Sequence, residues 1–399
     1  MKIHTLFSFV LLFFILLTSY RGSSQDFRLP VYQVDTFPAI FTMIGQVDTM
    51  MIAAHVIHLQ QYGTRYCNQP EAFEAQDWIQ AQFEYYGLSV ELQDFPSWVG
   101  QSSDNVIGTL TGKVYPDEYV IIGAHYDSYA TISVAPGADD NASGTSGVIE
   151  VAKILSQYEF ERSIVFCAFS AEEIGLVGSE AYASRAEQQG MNILGYFNMD
   201  MIGYQEPGTE IHTDMIAPPS AKELSDFYKD VAAIYLPGFP VEDGMMIGGD
   251  SDHTSFNNHG YMGIFPFEDS EFYSPYIHTS NDIVGPSYNC SLLSMRLTQA
   301  ALASVVTLAK PYETVGFPVP EQPVFRVALF PNPAGSYVTV DAGNQGKVTA
   351  GIYSIMGTLL AQQEFEGKAR FDLTSFSKGI YLVKVAGTDI SSTQRLIIR

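Results

Sequence analysis

The stretch YVIIGAHYDS, residues 119–128, decides the fold class of this chain. Its four-residue apolar run leads into Gly and Ala, which is typical of a central strand buried on both faces. A helical pattern, TSGVIEVAKILSQY at 145–158, follows it, and then a second buried strand, SIVFCAFSAEE at 163–173. Strands that alternate with helices predict an α/β layered domain with a largely parallel, mixed central sheet and helices on both faces.

The same alternation extends on both sides of this stretch. Upstream, two segments have helical apolar spacing and end near Gly63 and Gly87, and a strand-like alternation follows the second. Downstream, two more buried strands and a long apolar helix complete the domain. The predicted helices lie within residues 48–65, 72–88 and 291–310, and the predicted strands within residues 89–95, 193–201 and 261–268.

The composition changes at residues 311–325, PYETVGFPVPEQPVF, where four prolines fall within thirteen residues and predict a stiff linker. Beyond it, short alternating strands with turn signals predict a small β-sandwich of roughly 75 residues. We therefore expect an α/β domain over residues 25–310, a linker over 311–325 and a β-sandwich over 326–399.

Residues 1–24 have the pattern of a signal peptide. Lys2 precedes an apolar run at residues 6–17, and small residues at 22–24 provide a cleavage site. The alternative is an uncleaved membrane anchor, but the run is shorter than the roughly 20 residues that span a bilayer. No later segment is interpreted as apolar enough to cross a membrane, so we expect no stable membrane insertion.

The net charge of −24 is concentrated in the predicted α/β domain. Residues 1–24 carry +2 and residues 325–399 carry +3, which leaves −29 for residues 25–324. Such a surface disfavours nucleic acid and anionic membranes as partners. It would attract the free α-amine of a peptide, although a solvated acidic surface that keeps an exported protein soluble explains most of the charge.

The chain has three cysteines. Cys167 lies within a predicted buried strand and is interpreted as a small core residue. Cys67 and Cys290 could form a disulfide in an oxidising compartment, but the sequence does not show that they lie close together.

Acidic residues and histidines follow the ends of the predicted strands, where α/β sheets bind ligands. In GADDNASGTSG, residues 137–147, two acids are adjacent and no Lys or Arg lies within ten residues of either. Each candidate alone has an ordinary explanation, such as a helix cap, a turn or an acidic helix start. Three carboxylates in one cleft would repel each other unless divalent cations neutralise them, and two histidines with three carboxylates suit zinc. The candidates are His125, Asp127, Asp139, Glu172, Glu173, Asp200 and His278.

These candidates lie in the motifs AHYDS, PGADDNASG, SAEEIGLVGS, NMDM, SDHTSF and IHTSND. In order and approximate spacing, the six motifs resemble those of the two-zinc aminopeptidases of metallopeptidase family twenty-eight, over residues 45–310. The resemblance implies two zinc ions. It places His125 and Asp200 on one ion, Glu173 and His278 on the other, and Asp139 as the ligand that bridges both.

The resemblance also implies a mechanism and a specificity. Glu172 is the implied general base, Asp127 the carboxylate that orients His125, and the peptide bond between Asp139 and Asp140 is implied to be cis. Because one zinc is implied to hold a free α-amine, the expected substrates are peptides with a free N-terminus and an apolar first residue. The implied lining of the pocket for that residue, for which core packing is an equal explanation, is Met201, Phe265, Phe267, Tyr273 and Ile277.

The sequence departs from the best-known members of that family just before SDHTSF. There they can carry a tyrosine that supports the oxyanion, flanked by paired cysteines, whereas this chain has MMIGGD at residues 245–250. The oxyanion donor is therefore unassigned. Ser251, Asp252 and His253 are interpreted as groups that position the substrate or support the site, or as structural residues.

The C-terminal segment also resembles a known type of domain. FPNPAGSYVTV, IYSIMGTLLAQ and FDLTSFSKGIYLVKV, within residues 326–399, are similar to the sorting domain of proteins exported by the type IX system of Bacteroidetes-like bacteria. The resemblance implies the type IX machinery as a partner and export through the periplasm of a Gram-negative bacterium to the cell surface or the medium. The alternative is a β-sandwich that binds carbohydrate or the cell wall, but no aromatic cluster supports carbohydrate binding.

Two other functions compete with a secreted zinc aminopeptidase. A glutaminyl cyclase shares the fold but resembles a one-zinc site, and the intact His125 favours two zinc ions and peptidase activity. A receptor-like scaffold of the same fold would have lost several metal ligands, whereas all five implied ligands are present here.

Overall fold

The computed structural model describes residues 32–131, 134–312, 327–343, 346–354, 359–387 and 391–399. The predicted signal peptide and most of the predicted linker lie outside the described residues. The helices of the α/β domain are α1 (Pro38–Ile44), α2 (Thr49–Gln61), α3 (Pro70–Tyr85), α4 (Ala142–Leu155), α5 (Val177–Gln189), α6 (Lys222–Tyr235), α7 (His253–Asn258) and α8 (Ser291–Ala309). Its strands are β1 (Ser89–Gln93), β2 (Asn105–Leu110), β3 (Tyr115–His125), β4 (Arg162–Phe169), β5 (Asn192–Asn198), β6 (Thr213–Ile216), β7 (Val241–Asp243) and β8 (Gly263–Phe267).

The eight strands form one sheet in the order β1-β2-β4-β3-β5-β8-β6-β7. The four middle strands, β4, β3, β5 and β8, are parallel to one another. Strands β1 and β2, and the pair of β6 with β8, join antiparallel. The predicted α/β layered fold with a largely parallel, mixed sheet is therefore confirmed. Strands β2, β6 and β7 are additional to the predicted elements.

Strand β3 is apolar throughout its centre because each face of the sheet meets a separate core. Val120 and Ile122 pack into the larger core, which contains residues of α1, α2, α3, α4, α6 and α8. Ile121, which points to the opposite face, packs into a smaller core with residues of α5 and α7. The unbroken apolar run in the sequence reflects these two buried faces.

Helix α8 is the long apolar helix predicted at the end of the domain. By length and composition it could cross a membrane, since its mean hydropathy reaches 1.4, so the prediction that no later segment is apolar enough was wrong. In the fold, 83% of that segment is buried. Its side chains belong to the larger core, which accounts for its apolar composition. Helices α1 and α2 are long and apolar enough to span a membrane only if they are taken together as one segment, and this segment is bent by 49°.

The C-terminal segment forms two antiparallel sheets that share one core, as the predicted β-sandwich requires. Val338 and Phe371 of the first sheet and Ile352 and Val383 of the second belong to that core. The first sheet has the order β13-β10-β9 and the second the order β12-β11-β14-β15. The strands are β9 (Ala328–Phe330), β10 (Tyr337–Asp341), β11 (Lys347–Ser354), β12 (Leu359–Glu366), β13 (Lys368–Asp372), β14 (Gly379–Ala386) and β15 (Ser391–Ile398).

The three cysteines are unpaired. Cys167 lies in β4 with no exposed surface, in keeping with its interpretation as a core residue. Cys67 is buried, Cys290 is half-buried, and neither forms the disulfide that the sequence left open.

Candidate metal centre

Three of the four parallel strands carry candidate residues to one edge of the sheet. His125 is the last residue of β3, Glu172 and Glu173 follow β4, and Asp200 follows β5. The carboxyl ends of parallel strands meet at the same edge, which is where α/β folds bind ligands. His278 reaches the group from the loop between β8 and α8.

His125 lies at the buried end of the group and faces several carboxylates. Its Nε2 atom is 3.3 Å from Oδ1 of Asp140 and 3.4 Å from Oδ1 of Asp200. Glu172 Oε2 is 3.9 Å from the same nitrogen. The imidazole is 1% exposed, so these contacts occur away from bulk water.

His278 faces a second set of carboxylates at the more open side. Its Nε2 atom lies 3.3 Å from Oδ2 of Asp140 and 2.9 Å from Oε2 of Glu173. The Asp140 carboxylate therefore has one oxygen beside each histidine. Its pKa is held well below the usual range, because hydrogen bonds from His125 and His278 outweigh the effect of burial.

The structure corrects the sequence-based assignment of Asp139 as the bridging ligand. Asp139 is fully buried, and its Oδ1 accepts the backbone N–H of Gly203 at 2.9 Å rather than facing a histidine. Burial, followed by the charges of Glu268 and Asp282, raises its pKa well above the usual range. The cis peptide bond likewise lies between Asp140 and Asn141, not between Asp139 and Asp140.

The loop that carries Asp140 is fixed from both ends. Asn141 caps α4 by accepting the N–H of Gly144 at 2.8 Å and donates its side-chain amide to Met199 O at 3.0 Å. Gly144 is required there, since a Cβ atom would lie 2.0 Å from that same carbonyl oxygen. On the other side, Asp282 accepts the backbone N–H groups of Asp139 and Asp140 at 2.9 and 3.0 Å.

A buried arginine from a distant segment supports the same loop. Arg65 is fully buried and donates to the carbonyl oxygens of Pro136 at 2.6 Å, Gly137 at 2.8 Å and Tyr126 at 2.7 Å. It supplies a positive charge that the local sequence lacks. Sequence reasoning missed Arg65 because nothing in its own neighbourhood marks it, and missed Asp282 although it lies in the quoted motif IHTSND.

Asp127 connects His125 to the paired glutamates. The His125 Nδ1 atom lies 3.2 Å from the backbone oxygen of Asp127 and 3.5 Å from its carboxylate Oδ1. The same carboxylate accepts the N–H groups of Glu172 at 3.1 Å and Glu173 at 3.3 Å. Its clearest contacts are thus to the turn that carries the two glutamates.

Burial and the neighbouring acids raise the pKa values of the two adjacent glutamates. Burial raises the pKa of Glu172 well above the usual range, and the charges of Glu173, Asp252 and Asp200 add to this effect. Burial and then Asp140 raise the pKa of Glu173 to about 8. A cluster of this kind binds either protons or cations.

Comparison with known proteins decides the family. Residues 105–302 match the family described as "Peptidase family M28", and residues 328–399 match "Secretion system C-terminal sorting domain". A leucine aminopeptidase 1 of Coccidioides posadasii is 31% identical over 290 residues, which cover 65% of this chain and 71% of that protein. The chain belongs to peptidase family M28.

Solved structures agree with this membership. LapB from Legionella pneumophila is 25% identical, with a TM-score of 0.63 and coverage of 70% of this chain and 76% of that one. A glutaminyl cyclase of Bacteroides thetaiotaomicron, 22% identical with a TM-score of 0.53, covers 66% of this chain and 97% of its own and shares the fold. The sequence-based identification of an M28 peptidase with a C-terminal sorting domain is thus confirmed.

In the motif SDHTSF of this M28 peptidase, Ser251 contacts Asp200 of the candidate centre. Ser251 donates its hydroxyl to Asp200 Oδ2 at 2.7 Å and accepts the side-chain amide of Asn198 at 2.6 Å. Burial raises the pKa of Asp252 to about 7 and lowers that of His253 to about 4. Ser251 therefore orients Asp200, a supporting contact that the sequence left open among several interpretations.

The apolar residues named from the sequence lie together in this M28 domain. Met201, Phe265 and Phe267 form one buried cluster, against which Ile277 packs. Tyr273 lies against Phe267, with ring centroids 5.8 Å apart, and is 45% exposed. Ile216 and Met246 join the cluster and were missed, because Ile216 lies outside the quoted motifs and the stretch MMIGGD, which contains Met246, was noted only for the residues it lacks.

Proposed function

We propose that this M28 peptidase is a zinc-dependent aminopeptidase that removes an apolar N-terminal residue from peptides, with Glu172 as the general base. The observation that carries the proposal is the Asp140 carboxylate, which has one oxygen 3.3 Å from His125 and the other 3.3 Å from His278. Such a carboxylate can bridge two metal ions, a recurring arrangement in hydrolytic enzymes.

The side chains present fit two divalent ions. Asp200 Oδ1 and Glu173 Oε1 are buried and accept no hydrogen bond within the described residues. We infer that His125, Asp140 and Asp200 hold one ion and that Asp140, Glu173 and His278 hold the other. Imidazole and carboxylate ligands suit zinc. Bound zinc would neutralise the carboxylates and lower the pKa of water in the cleft.

Glu172 is the remaining carboxylate of the group, and its position suits proton transfer. It is held at the edge of the centre by the bond from its N–H to Asp127, and its side chain is 12% exposed. In the proposed mechanism Glu172 accepts the proton of the water that attacks the peptide carbonyl. It then passes this proton to the leaving amine, so that Glu172 acts first as a base and then as an acid.

The apolar cluster beside Asp200 supports the preference for an apolar first residue. Met201 directly follows the ligand Asp200, and Tyr273 and Ile277 lie a few residues before the ligand His278. A peptide whose first side chain contacts this cluster would have its α-amine near the acidic centre. That amine is cationic in solution, so the −29 charge of residues 25–324 favours its approach.

The C-terminal domain points to secretion or the cell surface, and we infer that the type IX machinery carries the protein there from the periplasm. The match over residues 328–399 supports this proposal. The two other functions are less well supported. The complete ligand set argues against a scaffold, and a carboxylate placed between two histidines argues against a one-zinc cyclase.

The decisive experiment combines metal analysis with two substrate panels on the purified mature protein. We expect zinc at the candidate centre and hydrolysis of aminoacyl-p-nitroanilides, fastest for apolar residues and abolished by chelation. Cyclisation of N-terminal glutaminyl peptides should be negligible. Active protein without bound zinc, cobalt or manganese would overturn the metal assignment, and efficient cyclisation without hydrolysis would favour the cyclase.

A further inference from the structure

A second group of metal-ligating side chains lies outside the candidate centre. Asp214 in β6 lies close to Asp269, two residues beyond the end of β8, because β6 and β8 pair antiparallel with Asp214 opposite Phe267. His212, just before β6, completes the group. One ligand atom from each of the three side chains lies within 4.8 Å of the others.

The histidine of this group presents one nitrogen to the two carboxylates. His212 Nδ1 lies 3.0 Å from the carbonyl oxygen of Glu210, which can only accept, so Nδ1 carries the hydrogen. His212 Nε2 is 3.7 Å from Oδ1 of Asp214 and 3.6 Å from Oδ2 of Asp269. Both separations are too long for hydrogen bonds.

The two carboxylates are held so that one oxygen of each is left for the histidine. Asp214 Oδ2 accepts both the N–H, at 2.8 Å, and the hydroxyl of Ser270. Asp269 Oδ1 accepts the N–H groups of Glu271 and Phe272 at 2.8 and 2.9 Å. Both aspartates are more than nine-tenths buried, at 7% and 8% exposure. In the described part of the chain their other oxygens receive no hydrogen bond.

We propose that His212, Asp214 and Asp269 form a binding site for a third divalent metal ion of the zinc type. Bonds of about 2.0–2.2 Å in a tetrahedral site place neighbouring ligand atoms about 3.4 Å apart, close to the 3.7 and 3.6 Å that separate His212 Nε2 from the two carboxylate oxygens. The hydrogen bonds to the distal atoms of all three ligands are those that orient ligands in metal sites. Calcium would require six or more oxygen ligands, which this group does not supply.

Another histidine in the same domain shows how an ordinary ion pair differs. His259 has Nδ1 2.6 Å from Oε2 of Glu187 and Nε2 2.7 Å from Oε1 of Glu180. Both ring nitrogens are thus at hydrogen-bond distance from carboxylates, as in a protonated imidazole, and leave no room for an ion. His212 makes one such short contact, to a carbonyl, and leaves a gap on its other side.

The third site would link β6 to the chain segment that leads to the candidate substrate pocket. The residues whose N–H groups bond to Asp214 and Asp269 immediately precede Tyr273, which lies against the apolar cluster. An ion shared by β6 and this segment would hold the turn against β6. Its role is therefore structural, and the inference does not depend on the proposed aminopeptidase activity.

Zinc stoichiometry of the full mature protein tests the site. After equilibration with zinc at pH 8 and removal of free metal, wild-type protein should carry one more equivalent than either His212→Gln or Asp269→Asn. His259→Gln is the matched control and should equal wild type. Glu173→Gln alters the candidate centre instead, so adding His212→Gln to it should still remove one equivalent.

Hydrogen exchange gives a readout that does not depend on stoichiometry or activity. If the turn must release the ion to open, zinc at 100 times its Kd should slow exchange of the Ser270, Glu271 and Phe272 amides about 100-fold in wild type. His212→Gln should show no slowing, and circular dichroism should confirm that it is folded. Equal zinc content in wild type, His212→Gln and Asp269→Asn, or exchange unaffected by zinc, would refute the site and leave an ion pair only.

Discussion

Asp139 and Asp140 are neighbours in the chain, yet their carboxylates contact different groups. Asp140 lies between the rings of His125 and His278, whereas Asp139 accepts the backbone N–H of Gly203. One residue therefore faces the candidate metal centre, and the other faces the protein interior. The pair provides a matched comparison of two isosteric substitutions.

Asp140→Asn should remove the negative charge that is proposed to bridge the two ions, so the zinc content should fall. Because a metal ligand is lost, kcat/KM should fall by about 10³-fold or more. Asp139→Asn should keep zinc content near that of wild type, because burial already favours the neutral form of Asp139. Metal analysis and kinetics on both variants check this. Loss of zinc in Asp139→Asn with retention in Asp140→Asn would reverse the assignment.

Glu172 and Glu173 should also differ in role although they share the same turn. Glu172→Gln is expected to retain zinc and lose turnover by roughly 10²–10⁴-fold, the usual effect of losing a general base. Glu173→Gln should instead weaken one zinc ion, since Glu173 lies 2.9 Å from His278. Near-normal turnover in Glu172→Gln would show that another group accepts the proton.

The requirement for a free α-amine can be tested with blocked substrates. An N-acetylated peptide should be hydrolysed at least 100-fold more slowly than the same peptide with a free N-terminus, because the acetyl group removes the basic amine that the centre is proposed to bind; this factor corresponds to about 2.7 kcal/mol. Product analysis by mass spectrometry gives both the rate and the position of cleavage. Rapid internal cleavage of blocked peptides would identify an endopeptidase.

His259 should contribute pH-dependent stability. Hydrogen bonds to Glu187 and Glu180 raise its pKa above the ordinary value of 6.5, so its stabilising effect is complete below about pH 6.5 and is lost as pH rises through the raised pKa. His259→Gln should therefore lower Tm by about 1–3 °C near pH 6 and have little effect near pH 10. A Tm difference that grows with pH would contradict this sign.

The C-terminal domain should be dispensable for catalysis. It has its own core, and every proposed ligand lies in the α/β domain. We predict that a chain ending near Thr314 folds and keeps its kcat and KM, while in the native host it stays in the periplasm. Kinetics of the purified protein and fractionation of the host measure the two effects separately. Normal secretion of the shortened chain would refute the sorting role.

The α/β core could be predicted because strands buried on both faces leave unbroken apolar runs, as in β3 and β4. Strands β6 and β7 gave no such signal, since they have only four and three residues, and β7, at the edge of the sheet, is largely exposed. The strand-end histidines and acids were found by their placement. The choice between Asp139 and Asp140 could not be made from the sequence, because only the backbone path into α4 decides which carboxylate faces the histidines.

The hydrogen bonds that join the site to distant segments of the chain were its least predictable part. Arg65 bonds to carbonyl oxygens as many as 72 residues away, and Asp282 receives N–H groups from residues more than 140 positions earlier. Such partners leave no local pattern, because the hydrogen-bonding groups they satisfy belong to the backbone of another segment. In the cluster around His212, only the pairing of β6 with β8 is long-range, since it brings Asp269 to His212 and Asp214.

The two histidines of the centre differ greatly in their access to water. The side chain of His278 is 40% exposed, whereas that of His125 is 1% exposed. We therefore expect the two proposed zinc positions to exchange at unequal rates, with the ion beside His278 leaving first when a chelator is added. Brief chelation would then yield a population that retains only the inner ion, and kinetics of that species would show how the catalytic work is divided between the two positions.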